Sequence, residues 1–112
     1  MLLEYINIVN GTIIKIPIKN ITTPLTINWG DGTSTQTNIT SDDPSYTYSS
    51  TPSSPTIITI TGNFTLFGVN SLSETITNIS KLSAGTDWGS HAALTSLNGA
   101  CPQFRLCARM CV

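Results

Sequence analysis

The clearest period-2 alternation in the chain runs from Thr12 to Lys19, where Ile14, Ile16 and Ile18 share one side while Lys15 and Lys19 take the other. It predicts a strand with one buried face. Glu4 to Val9 reads as its partner, and the intervening Asn10-Gly11 suits both positive-φ positions of a type I′ turn, so the two segments are expected to form a hairpin. Pro17 has no N–H to give to a ladder, which places it at an edge or a bulge of the second strand.

Residues 20–24 read as a connection. Leu25, Ile27 and Trp29 then alternate with Thr26 and Asn28 into a Gly30-Asp31-Gly32 corner, and Thr33 to Ile39 leads away from it, making a second hairpin. Residues 41–55 hold three of the six prolines together with Asp42, Asp43 and many serines, so most of that stretch is loop, with Tyr46-Thr47-Tyr48 as a short extended interruption. Thr56 to Thr61 returns to strand with Ile58 and Ile60 facing inward, and Phe64 to Val69 and Thr75 to Leu82 are two further extended candidates. No long 3.6-period stripe is present, so no substantial helix is expected before residue 70. Short strands with turn residues between them point to an all-β sandwich.

Composition agrees. Ile leads the aliphatic residues and Thr, Ser and Asn the polar ones, a mix that suits pleated, half-buried strands better than helices. A chain of 112 residues is the size of one domain with a modest core. The formal net charge of −1 gives no reason to approach nucleic acid or an anionic membrane. A surface dominated by neutral hydroxyl and amide groups instead suggests an extracellular or cell-surface location. No apolar run reaches the roughly 18–20 residues that cross a bilayer, so membrane insertion is not expected. Met1-Leu2-Leu3-Glu4-Tyr5 lacks the basic and long apolar regions of a secretory signal, leaving a removed signal, another export route or a piece of a longer protein.

Three landmarks in order, "INWGDGT", "YTYSS" and "TIITITG", resemble a PKD-type (polycystic-kidney-disease-type) β-sandwich. The likeness is closest to the PKD-like segment of surface proteins that carry leucine-rich repeats of the Bacteroides surface-antigen type. In such sequences the aspartate-glycine corner is followed by an aromatic stretch, often His-x-Tyr, and then by a β-rich run ending in Thr-Gly. Here Tyr46 stands at the histidine position, Tyr48 at the tyrosine, and Thr61-Gly62 closes the run. The resemblance implies an Ig-like, PKD-like sandwich over residues 1–88. It continues in "DWGSHAALTSLNGA", residues 87–100, which is similar to the entry into a first leucine-rich repeat.

That entry is then abandoned. Residues 101–112 hold all three cysteines and both arginines of the chain, a jump in composition that reads as a truncated repeat array or a change of reading frame near Cys101, or else as a genuine tail. Residues 89–112 are accordingly expected to be a truncated repeat-like segment with an irregular tail that adds little to the sandwich. Cys101, Cys107 and Cys111 lack the usual zinc spacing and a nearby histidine. Free thiols, one internal disulfide with a thiol left over, or a metal role are the readings, in that order.

Asp31 admits three roles. Catalysis needs a partner base or nucleophile, and the lone histidine, His91, falls in an unrelated segment. A calcium site would need Asp42 and Asp43 to converge on Asp31, without the usual ladder of acidic residues. The third role is structural: Asp31 caps its own turn, Gly30 and Gly32 supply unusual backbone angles, and Trp29 anchors the hairpin in the core. The third is preferred, with no cofactor expected. Five Asn-x-Ser/Thr triplets, at Asn10, Asn20, Asn38, Asn63 and Asn78, follow from the abundance of Thr and Ser. No nucleophile, base and orienter stand at recognisable spacing, so an enzyme is not expected. Two classes remain: a surface-exposed module for adhesion, binding or spacing that meets a protein or glycan, or a structural subunit that assembles with copies of itself in a virion, appendage or extracellular filament.

Overall fold

Seven strands build two antiparallel sheets in the computed structural model, which describes residues 1–33, 35–67, 78 and 81–86. They are β1 (Leu2–Tyr5), β2 (Ile13–Lys15), β3 (Ile18–Asn28), β4 (Gln36–Ile39), β5 (Ser45–Thr47), β6 (Thr56–Phe67) and β7 (Leu82–Thr86). The larger sheet runs β4-β3-β6-β1-β7, and β2 pairs with β5 in the smaller one. The described residues contain no α-helix, as β-branched composition and period-2 patterning require. Segment 89–112, with His91, Cys101, Cys107 and Cys111, lies outside the described residues, as do residues 68–77 and 87–88.

Both sheets feed one buried cluster. Leu3 and Tyr5 enter it from β1, Ile14 from β2, Leu25 and Ile27 from β3, Ile58, Ile60, Phe64 and Phe67 from β6, and Leu82 from β7, joined by Trp29 and Tyr48. Strand β6 shows why the pattern works. Thr56, Ile58 and Ile60 are buried while Ile57, Thr59 and Thr61 are exposed, the alternation a pleated strand imposes on a one-sided core.

The expected first hairpin does not form. β1 pairs with β6 on one side and β7 on the other, and β2 pairs with β5. Asn10-Gly11 is still a turn, closed by Thr12 N–H donating to the Val9 carbonyl at 3.0 Å, but only Gly11 has positive φ (89°), so it is not type I′. Instead of folding a strand back on its neighbour, it carries the chain from one sheet to the other. The single strand expected over residues 12–19 is likewise two. Ile16 donates to the Pro44 carbonyl beside β5, and Ile18 donates back to Ile16 at 2.8 Å, a three-residue turn pivoting on Pro17. The pivot breaks the alternation, and Lys19, expected to point outward, is buried at 2% exposure.

Residues 20–24, expected as a connection, belong to β3, and Gly62, expected to end a strand, lies inside β6. From Ile21↔Phe64 to Thr26↔Thr61, β3 advances five residues while β6 advances three, so β3 bulges at Thr22–Pro24. Pro24 needs no ladder bond there. The bulge presses the Pro24 carbonyl against Gly62, whose φ is 111° and where a Cβ would come within 2.7 Å of that oxygen. Only glycine satisfies both demands.

Among the described residues, Tyr5 Oη is a buried polar atom with no hydrogen-bond partner. Burial, with a smaller contribution from Tyr48, pushes its ionisation far above the ordinary phenol range, so it stays neutral. Removing an orphaned hydroxyl costs no hydrogen bond. Tyr5→Phe is therefore expected to leave the fold unchanged or raise its stability by about 1 kcal/mol in urea unfolding; a loss of that size would mean that the hydroxyl is bonded.

Candidate functional site

The second hairpin forms as its alternation demands, with Leu25 opposite Ile39 and Ile27 opposite Gln36. At its end, Asn28 Oδ1 accepts the Gly30 N–H at 2.9 Å, bending the chain immediately after the strand. Gly30 has φ 79°, and a Cβ there would overlap the Ile57 carbonyl oxygen and crowd the Thr56 methyl at 3.1 Å. This close approach lets β3 turn over β6 and seats Trp29, 1% exposed, in the core.

Trp29 is held at both its indole N–H and its carbonyl. Its Nε1–H donates to Gln36 Oε1 at 3.0 Å, and its carbonyl accepts the Tyr48 hydroxyl at 2.7 Å. Tyr46 stacks on the indole, centroids 5.1 Å apart and planes 13° from parallel, and Tyr48 meets Tyr46 edge-on at 4.9 Å and 89°. Tyr46 and Tyr48 are two residues apart along the β5 segment, so the pleat turns both toward Trp29. Offset stacked and edge-on contacts are the favoured aromatic geometries.

Asp31 completes the cluster. Its Oδ1 accepts the Thr33 N–H at 3.1 Å and the Thr33 hydroxyl at 2.6 Å, and its Oδ2 accepts the Tyr46 hydroxyl at 2.5 Å. Partial desolvation alone would raise the Asp31 carboxyl. The hydrogen bonds from the Thr33 hydroxyl, the Tyr46 hydroxyl and the Thr33 N–H outweigh it and hold the group below its ordinary value. The bond to Asp31 in turn raises the ionisation of Tyr46. Tyr48 is also raised, first by burial and then by the Asp31 charge.

A carboxyl whose folded value is depressed stabilises the fold above its unfolded value of about 4 and loses that contribution as pH falls through the folded value. Asp31 is partly exposed, so screening keeps its contribution near 0.5–1 kcal/mol, about that of a solvated cap. Asp31→Asn is expected to be less stable by that amount at neutral pH, with the gap closing below pH about 4. Thermal melts of both proteins across that range check it; a gap independent of pH would remove the carboxylate from the account.

The structure thus brings Trp29, Gly30, Asp31, Tyr46 and Tyr48 together, with exposed Gly32 (φ 81°) in the same corner. It does not bring Gly62, which serves the β3 bulge. Asp42 accepts the Asn20 N–H at 3.2 Å, and Asp43 pairs with Lys19. Among the described residues no three acidic, histidine or cysteine side chains gather, so Asp31, Asp42 and Asp43 share no ligand set. Asn28, Thr33 and Gln36 were missed as members of the cluster. Asn28, two residues before Gly30, carries the local signal of a side-chain turn, whereas Gln36 is found only once the β3-β4 register is known. Of the triplet asparagines, Asn20, Asn38 and Asn78 occupy positive φ, a conformation asparagine tolerates better than most residues. Comparison with protein-family models, curated proteins and solved structures finds no match to this chain.

Proposed function

We propose that this chain is a non-enzymatic β-sandwich module of the PKD-like, Ig-like kind, exposed on a cell surface or outside the cell, where it serves adhesion, binding or spacing. One observation carries the reading. In the aromatic and carboxylate cluster, the polar groups are engaged with one another: Asp31 with Thr33 and Tyr46, Gln36 with Trp29, and Asn28 with Gly30. Such a cluster fixes a hairpin to the opposite sheet. A catalytic centre needs a group left free to exchange protons or electrons with a substrate. The partner of such a module is a protein or glycan surface met through its loops, with no cofactor required.

The same landmarks support the PKD-like assignment, since the tryptophan, the aspartate-glycine corner and both tyrosines meet at one place. The test is surface labelling. Antibodies raised against the folded protein should stain intact, unpermeabilised source cells; staining only after permeabilisation would overturn the location and with it the role.

A self-assembling subunit is the second reading, favoured by the β5 edge. Tyr48 and Tyr46 direct their backbone groups toward β2, so Ser45 and Thr47 direct theirs outward, where another strand could add. Size-exclusion chromatography with negative-stain imaging separates the two readings. Monomers at high concentration support the module, and filaments or closed shells support the subunit.

A further inference from the structure

Lys19 is a buried nucleophile that the aromatic cluster does not use. Its side chain is 2% exposed, its register partner on β6 is Leu66, and its Nζ lies 2.7 and 2.8 Å from the two carboxylate oxygens of Asp43, itself 18% exposed. The main chain holds both ends of this pair. Asp43 N–H donates to the Ile18 carbonyl at 2.8 Å, and Asn20 N–H donates to Asp42 Oδ1 at 3.2 Å. Asn20 and Asp43 both take left-handed backbone conformations, φ 57° and 53°, which bring the β4-β5 connection alongside the start of β3.

We propose that Lys19 and Asp43 condense into an intramolecular amide, an isopeptide cross-link between the start of β3 in the large sheet and the β4-β5 connection that leads into the small one. As the reaction begins, one proton passes from the ammonium to the carboxylate oxygen it touches, which frees the nitrogen lone pair. Desolvation is one of the ways a lysine becomes a nucleophile. The nitrogen lone pair adds to Cγ, forming the Nζ–Cγ bond, after the carboxyl turns about Cβ–Cγ to present its face. The Cγ–O bond then breaks, and the departing hydroxyl takes a second proton from nitrogen and leaves as water. One hydrogen stays on the amide nitrogen, so ammonium plus carboxylate becomes amide plus water with no other reactant. Condensation is unfavourable between free solutes in water, but well-oriented intramolecular partners reach effective molarities of about 10⁵–10⁸ M. The fold supplies that orientation.

Mass spectrometry of the purified, folded full-length chain decides the matter. The intact mass should fall short of the sequence mass by one water, and proteolysis should yield a branched peptide joining Lys19 to Asp43. Lys19→Met should keep its full mass. Asp43→Asn should lose ammonia in place of water, with the loss mapped to a branched peptide joining Lys19 to position 43, because a succinimide at Asn10-Gly11 or Asn98-Gly99 gives the same mass change. A wild-type chain at full sequence mass after prolonged incubation at neutral pH would overturn the proposal. So would a water loss mapped to Asp31-Gly32, where an aspartate-glycine succinimide gives the same mass change.

Discussion

Trp29→Ala is expected to lower the free energy of unfolding by about 3–5 kcal/mol, the usual cost of emptying a large aromatic site in a core. Three losses coincide there. The indole is 1% exposed, so its removal leaves a cavity; Tyr46 loses the ring on which it stacks; and Gln36 loses the donor at 3.0 Å. Trp29→Phe separates them, since it keeps a ring under Tyr46 and drops only the N–H and part of the volume. It should cost clearly less, about 1–2 kcal/mol. The measurement is the urea midpoint at constant slope. An unchanged midpoint for Trp29→Ala would show that the cluster contributes nothing to the fold, and would remove the observation on which the functional reading rests.

The second large effect is expected at the other end of the β3-β4 hairpin. Measured against the uncondensed pair, Asp43→Ala removes the carboxylate that faces the buried Lys19 ammonium, and breaking a buried pair in this way typically costs about 3–5 kcal/mol. Lys19→Met should be much milder. It replaces the cation by an apolar chain of similar length among Ile18, Leu66 and their neighbours, and leaves Asp43, already partly exposed, to reach water. The order of the two variants is the informative result. Equal losses would mean that the pair acts as a local tether, with burial of the charge playing no part.

Most strands were legible because each needs only its own residues: Ile58 and Ile60 between threonines, or Leu25 and Ile27 before Trp29, declare a one-sided strand wherever the partner lies. Pairing was not. Leu3 and Tyr5 on one side of Asn10-Gly11 and Ile14 and Ile16 on the other bury equally well against a hairpin neighbour or against strands far along the chain, Ile58 opposite Leu3 and Tyr46 opposite Ile14, and alternation cannot distinguish them. Pro17 reads as an edge or a bulge of one strand, yet it marks the change of sheet. Lys19 was misplaced for the same reason, since a pivot two residues earlier resets which side faces in. At the site, the tryptophan, the aspartate-glycine corner and the two tyrosines stood out by order along the chain. Their bonds to Gln36 and Thr33 depend on register and turn geometry, which composition does not encode.

The position of β1 has a kinetic meaning. Of the seven strands β1 leaves the ribosome first, and it lies between β6 and β7, opposite Thr56–Thr59 and Leu82–Thr86, so none of the other six pairs with it while the next fifty residues are being made. Hairpin β3-β4 can close locally during that time, but the sheet stays split until distant chain arrives. Such non-local pairing slows folding and leaves strand edges open to other chains. The nascent chain is therefore most dependent on chaperones before β6 has emerged, while β1 and the β3-β4 hairpin wait unjoined.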